Sequence, residues 1–147
     1  FYEEIDHLSG NVPDLPGLHM INASTSRVKT LVRMPSVADL DALAPDFDAM
    51  RDICEAIGST GLYPYALSTD GASARQFPKA SGYPEDAATG IAAAALWGYL
   101  NETGSVAADR VYPVRQGVAM GPPSAIQLRR RADAPGCWLS AETQWMR

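Results

Sequence analysis

Two neighbouring carboxylates followed by four small residues, Glu85-Asp86-Ala87-Ala88-Thr89-Gly90, make up the stretch of this chain best suited to chemistry. The segment behind them, Ile91 to Leu100, carries no polar side chain except the hydroxyl of Tyr99 and includes four consecutive alanines. Such a run predicts a helix that is apolar all round, and therefore buried. A carboxylate just ahead of a helix is favoured by the positive end of its dipole, typically by about 0.3–1 kcal/mol. Asp86 acting only as an N-cap would account for one acid but not for the small residues after it. Small side chains there leave backbone N–H groups, those of Ala88 to Gly90 above all, open to a carboxylate or phosphate. The start of this helix is the candidate site.

Other residue types offer less. Cys54 and Cys137 do not form a Cys-x-x-Cys pair, so no zinc or redox motif is present. Cys54 lies on the apolar side of a helical pattern and reads as a small core residue. His7 and His19 lack carboxylate or cysteine neighbours at ligand spacing, so no metal site is expected. Trp97 and Tyr99 read as core residues on the buried helix, while Trp138 and Trp145 belong to the last strand. Arg129-Arg130-Arg131 sits in an alternating segment and reads as a strand end. With a formal net charge of -5, nucleic acid is not the expected partner.

The remaining sequence must position that helix. At 147 residues, 46% hydrophobic and 20% charged, the chain is the size of one globular domain. Residues 1–9 carry Tyr2, Ile5 and Leu8 among acids, an amphipathic turn or two of helix, and the chain to Gly17 reads as a linker. Residues 19–22 and 27–34 alternate as two strands around the turn Ser24-Thr25-Ser26. Ser36 is a credible N-cap for helical residues 36–43 and 45–57, broken at Pro45 and stopped at Gly58. Residues 61–68 and 72–77 read as strands joined through Thr69-Asp70-Gly71. Three more strands are expected within 110–120, 124–130 and 136–146. The fold class is α+β, a curved mixed sheet wrapped around the central helix. No window reaches membrane-spanning length, the cysteine usage fits a reduced cytoplasm, and a start at Phe1 suggests a piece of a longer gene product.

Two signatures give these elements a family. Arg75-Gln76-Phe77, followed by Gly82-Tyr83-Pro84-Glu85-Asp86-Ala87-Ala88-Thr89-Gly90-Ile91-Ala92-Ala93, resembles the "R-x-F … G-x-x-E-D-x-A-T-G-x-A-A" pattern of the PhzF-like, phenazine-biosynthesis isomerases. Gln116-Gly117-Val118-Ala119-Met120-Gly121-Pro122-Pro123-Ser124 resembles their second signature, "Q-G-x-x-M-G-R-P-S". The resemblance extends from about Met20 to the C-terminus. It implies one lobe of a two-lobed, diaminopimelate-epimerase-like fold, with residues 1–147 as the C-terminal lobe and 1–17 as inter-lobe helix and linker. The family's active site lies between the lobes, and its principal proton-transfer glutamate belongs to the N-terminal lobe.

Carried over by position, Asp86 matches a catalytic aspartate that binds and orients substrate, and Ala87, Ala88, Thr89 and Gly90 match the substrate-binding helix start. The implied activity is cofactor-free, metal-free proton transfer on a small carboxylated metabolite in a biosynthetic setting. The implied partners are that metabolite and an N-terminal lobe of the same protein, with a homodimer of this lobe as another arrangement. Several positions depart from the family pattern. Ile91 replaces a serine, Pro122 an arginine and Lys79 a proline, and Ala87 stands where related epimerases have a cysteine. Ile91 and Pro122 favour a rival reading, a non-catalytic small-molecule or protein-binding domain that keeps the fold.

Overall fold

The computed structural model describes residues 2–4, 18–107 and 109–142. Nine strands and three helices run in the order β1 (Tyr2–Glu4), β2 (His19–Ala23), β3 (Lys29–Arg33), α1 (Val37–Asp41), α2 (Phe47–Ala56), β4 (Gly61–Leu67), β5 (Ala72–Ala74), β6 (Phe77–Pro78), α3 (Gly90–Glu102), β7 (Tyr112–Gln116), β8 (Ser124–Arg130) and β9 (Cys137–Ala141). One mixed sheet holds the strands in the order β1-β2-β3-β4-β5-β7-β8-β9, and β6 folds back onto the start of β4. The β3–β4 and β5–β7 pairs are parallel, so each needs a crossover. The pair α1 and α2 makes the first and α3 the second.

The sheet curls. α3 touches β2 and β3 on one side of the strand order and β8 and β9 on the other. An apolar rod suits that enclosure: Ala92, Ala93, Ala95, Leu96, Trp97 and Leu100 are buried, packed against Leu31, Tyr63, Tyr65, Val114, Ile126 and Leu128. Ala92 to Ala95 keep the helix thin enough for the strands to close around it. The outer face carries a smaller core of Val32, Met34, Leu40 and Ala66 beneath α1 and α2. Strands β3 and β4 are therefore covered on both faces, and Lys29 to Val32 and Tyr63 to Ala66 are buried at every residue, without alternation.

Ser36 and Asp46 cap the two covering helices, Ser36 accepting from the Asp39 N–H and Asp46 from the Asp48 and Ala49 N–H groups. The break between them at Pro45 is as expected.

Four expectations need correction. Tyr2–Glu4 is not helical: it pairs antiparallel with β2, and Tyr2 stacks edge-on against Tyr99 at 5.2 Å. Tyr2-Glu3-Glu4 is too short to carry either a helical or a strand period, and pairing decides. Residues 5–17 lie outside the described part of the chain. The strand expected over 72–77 ends at Ala74, because the Gln76 backbone turns to bridge Asp86. The strand expected over 110–120 ends at Gln116, where Gly117, at φ +86°, starts a single 3-10 turn from Val118 to Met120. The last strand spans 137–141, and Trp145 lies outside the described residues.

Candidate active site at the start of α3

Residues 85–90 form a tied-down loop at the mouth of the curled sheet. Its first anchor is Glu85, whose carboxylate takes two parallel hydrogen bonds from Arg75, Nε and Nη2 both at 2.9 Å. Arg75 Nη1 donates to the Leu40, Asp41 and Leu43 carbonyls at the end of α1, at 3.2, 3.4 and 2.8 Å. One guanidinium thus joins the loop to the covering helix. The contact to Glu85 holds Arg75 above the ordinary arginine range, against the opposing effect of burial.

The second anchor is Gln116 at the end of β7, fully buried. Its Nε2 donates to the Asp86 carbonyl at 2.7 Å and to the Thr89 hydroxyl at 3.0 Å. Its Oε1 accepts from the Thr89 N–H at 3.2 Å and from the Tyr63 hydroxyl at 3.0 Å. The third anchor is Ser124, whose hydroxyl donates to the Ala87 carbonyl at 2.8 Å. Gly117 completes the seat, since a Cβ there would stand 2.9 Å from the Ala87 oxygen. The two signatures therefore meet: the second holds the backbone of the first.

Within the loop, the Thr89 hydroxyl donates to Asp86 Oδ2 at 2.5 Å, and the Ala88 N–H reaches Asp86 Oδ1 at 3.4 Å. Thr89 occupies the N-cap position, yet its side chain caps no backbone N–H. Gly90, Ile91 and Ala92 begin the helix with N–H groups that have no acceptor among the described residues. An N-cap hydroxyl would normally satisfy one of these. Here it is held by Asp86 and Gln116. Gly90 leaves room for β9, because a Cβ on it would stand 2.8 Å from Leu139 Cδ1.

All five expected site residues, Asp86 to Gly90, thus converge on one mouth. Ala87 and Ala88 are exposed, while Asp86, Thr89 and Gly90 are half-buried. The open amides lie further along than an Ala88-to-Gly90 cradle would place them, since the Ala88 and Thr89 N–H groups are already engaged. Three positioning residues escape a reading of residue chemistry alone: Arg75, Gln116 and Ser124. Their presence inside the two signatures is the available signal. Cys54 is buried, and burial pushes its thiol upward; the half-buried Cys137 is pushed the same way. Among the described residues, no group of three or more His, Cys, Asp or Glu is placed to hold a metal ion. Nor is any described helix long and apolar enough to cross a membrane.

Comparison with known proteins gives the site its context. The family model described as phenazine biosynthesis-like protein matches residues 4–135. The chain belongs to that family. A curated relative from Escherichia coli, "Uncharacterized isomerase YddE", is 37% identical over 83 residues, which cover 53% of this chain and 27% of the relative. An "Uncharacterized isomerase" from Deinococcus radiodurans is 29% identical over 119 residues, 76% of this chain and 38% of the relative. The chain thus spans well under half the length of these curated relatives.

Solved structures agree on the fold. A putative phenazine biosynthesis PhzC/PhzF protein from Clostridium difficile superposes with a TM-score of 0.67 at 16% identity, covering 99% of this chain and 55% of that one. A predicted epimerase from Pseudomonas aeruginosa superposes with a TM-score of 0.60 at 23% identity, covering 88% and 45%. In both comparisons this phenazine biosynthesis-like chain matches about half of the larger protein.

Proposed function

We propose that this chain is the C-terminal lobe of a PhzF-like isomerase or epimerase that moves a proton on a small carboxylated metabolite without a metal or organic cofactor. The observation that carries the reading is the start of α3. Its first three amides have no acceptor, the loop before them is fixed at three points, and Asp86 stands at its edge. Fixed N–H donors at a helix start suit a carboxylate, and they stabilise the delocalised anion left when an adjacent C–H loses its proton. Asp86 orients the substrate, and an N-terminal lobe of the same protein supplies the principal base.

The surface supports that partner. Ile91 on the first turn of α3, Leu139 against Gly90, and Val118 and Met120 on the turn that follows Gly117 are each more than two-fifths exposed. An apolar rim of this kind around a polar mouth fits a second lobe closing over it. A cytoplasmic, biosynthetic role goes with this reading.

The test uses the full-length gene product, incubated with small carboxylic acids in deuterated water. Exchange of a proton next to the carboxylate or a conjugated double bond is expected, reduced by about 10²–10⁴-fold in Asp86→Asn. The 147-residue chain alone should exchange little. Exchange by the isolated chain at the full-length rate would overturn the division of labour.

A second reading rests on Ile91, exposed at the helix start where a hydroxyl is usual, and on Pro122 in place of an arginine. Both remove polar contacts from the mouth, as in a binding domain that has lost its chemistry. Saturable binding of a carboxylic acid by the full-length protein, with no exchange of any of its protons, would select that reading. A homodimer that pairs two helix starts is the third arrangement, and sedimentation of the chain as a monomer would exclude it.

A further inference from the structure

Lys29 and Gln76 lie beside the mouth and have no role in holding its loop. Lys29 begins β3 and is 7% exposed, with no hydrogen-bond or ion-pair partner among the described residues. It pairs with Ala23, which packs in the core around α3, so its side chain leaves the sheet on the α3 side. The register that sets Thr30 opposite Leu62 brings Lys29 beside Gly61.

Gln76 fills the room that Gly61 leaves. A Cβ on Gly61 would stand 2.5 Å from Gln76 Nε2, on the same face of β4 as Tyr63, whose hydroxyl reaches Gln116. Gln76 is 1% exposed, and neither Nε2 nor Oε1 has a hydrogen-bond partner. Its backbone bridges Asp86, so the amide is carried on the short segment between β5 and β6 that touches the site loop. A buried donor, a buried acceptor and a buried cation without a counter-ion all stand on the inner face. Leaving such groups unsatisfied is costly, and an anion would complete them.

We infer that Lys29 and Gln76 form a second carboxylate subsite, so that the substrate is a small dicarboxylate held by the α3 amides at one end and by this pair at the other. The inference rests on the proposed anion site at α3 and names the substrate class for it. Lys29 Nζ and Gln76 Nε2 donate to the second carboxylate, and Gln76 Oε1 is left to accept from a hydroxyl or amine beside it. Electrostatics agree. Burial, then the neighbouring Arg27, pull Lys29 below the ordinary lysine range, and the opposing charges of Cys54 and Asp86 do not restore it. A second anion at Lys29 would.

Amide NMR of the isotopically labelled chain tests both levels. Acetate should shift the Gly90, Ile91 and Ala92 amides saturably. The best of malonate, succinate and glutarate should bind at least about ten-fold tighter and also shift the Gln76 side-chain amide. Lys29→Met should bring that dicarboxylate to within about two-fold of acetate while leaving the acetate shifts in place, and Lys29→Arg should keep most of the preference. Acetate shifts with no dicarboxylate preference in the unaltered chain, or a preference that survives Lys29→Met, would overturn the subsite alone. Absence of any acetate shift at Gly90 would remove the α3 anion site and the subsite with it. The wild-type comparison stands even if Lys29→Met does not fold.

Discussion

Gln116 binds Thr89 with both ends of its amide, Oε1 accepting from the Thr89 N–H at 3.2 Å and Nε2 donating to the Thr89 hydroxyl at 3.0 Å. The hydroxyl, already receiving Nε2, can then donate only outward, to Asp86 Oδ2. One buried side chain therefore sets the direction of the bond between Thr89 and Asp86. It also keeps the N-cap hydroxyl away from the first turn of α3.

Replacement of Gln116 should loosen the site and the fold together. Gln116→Leu leaves the Asp86 carbonyl and the Tyr63 hydroxyl without a partner, at a cost of about 1–3 kcal/mol for each buried group left unsatisfied. Urea unfolding of the variant should show the loss, and the Thr89 amide resonance should move. Gln116→Glu should be worse at the mouth than its size suggests, because it exchanges the Nε2 donor for a second acceptor facing the Asp86 carbonyl. Unchanged stability in Gln116→Leu would contradict the network.

Arg75 should tolerate no substitution well. It is 7% exposed and paired with Glu85, and its guanidinium carbon also lies 4.9 Å from the Phe77 ring centroid. Removing one member of a buried pair typically costs about 3–5 kcal/mol, since the other charge stays buried. Arg75→Met should show a loss of that order in chemical denaturation. Arg75→Lys should recover part, because an ammonium cannot make the two parallel bonds or reach three α1 carbonyls together. The double change Arg75→Met, Glu85→Gln should cost less than Arg75→Met alone.

Gly117 is required twice, by its φ of +86° and by the 2.9 Å approach of a Cβ to the Ala87 oxygen. Gly117→Ala should therefore cost about 1–3 kcal/mol of stability. Gly82, also at positive φ but with open space around it, should lose less on the same change. Thermal unfolding of the two variants side by side measures the difference, and equal losses would show that the close approach contributes nothing.

How far these relationships can be read from sequence differs by element. α3 is legible because a helix with no polar face has only one place to go, and Pro45 breaks the covering helices where its missing N–H requires. Asp86 to Gly90 stand out in the sequence as a candidate group because an acid alone can cap a helix, whereas an acid with small residues behind it also opens the backbone to a ligand. Tyr2–Glu4 misleads because three residues carry no reliable period, and the pairing with β2 that makes them a strand is long-range. The end of β5 is hidden for a similar reason: nothing in Arg75-Gln76-Phe77 announces that its middle residue bridges Asp86. Gln116 is visible only as a letter in a motif. Its role needs the parallel β5–β7 pairing, which sets Ala74 opposite Gln116 across a crossover.

Alkaline pH should destabilise the fold through its buried tyrosines. Burial, and then the charge of Tyr99, push Tyr65 up to about 12. Tyr63 is pushed up further by burial and by Asp86, and Tyr112 is raised by burial. A raised tyrosine pKa means that the fold favours the neutral phenol. Its contribution is fully present below the ordinary value of about 10 and is lost as pH rises from there through the folded value. For Tyr65 alone the loss between pH of about 10 and about 12 is on the order of 2–3 kcal/mol. Lys29, held below its ordinary range, works in the opposite direction and at lower pH: its buried charge costs stability, and that cost is relieved as pH rises through its lowered value, fully so above the ordinary value of about 10.4. Urea unfolding followed from pH of about 8 upward should therefore show no loss until about 10 and then fall. Tyr65→Phe should flatten that fall, and Lys29→Met should leave it in place while removing the gain in stability that precedes it. Tyrosinate absorbance in the native protein should rise late for Tyr63, only as the fold opens, because its hydroxyl proton is engaged by Gln116. A stability profile indifferent to pH in this range would mean that these phenols already meet water in the native state.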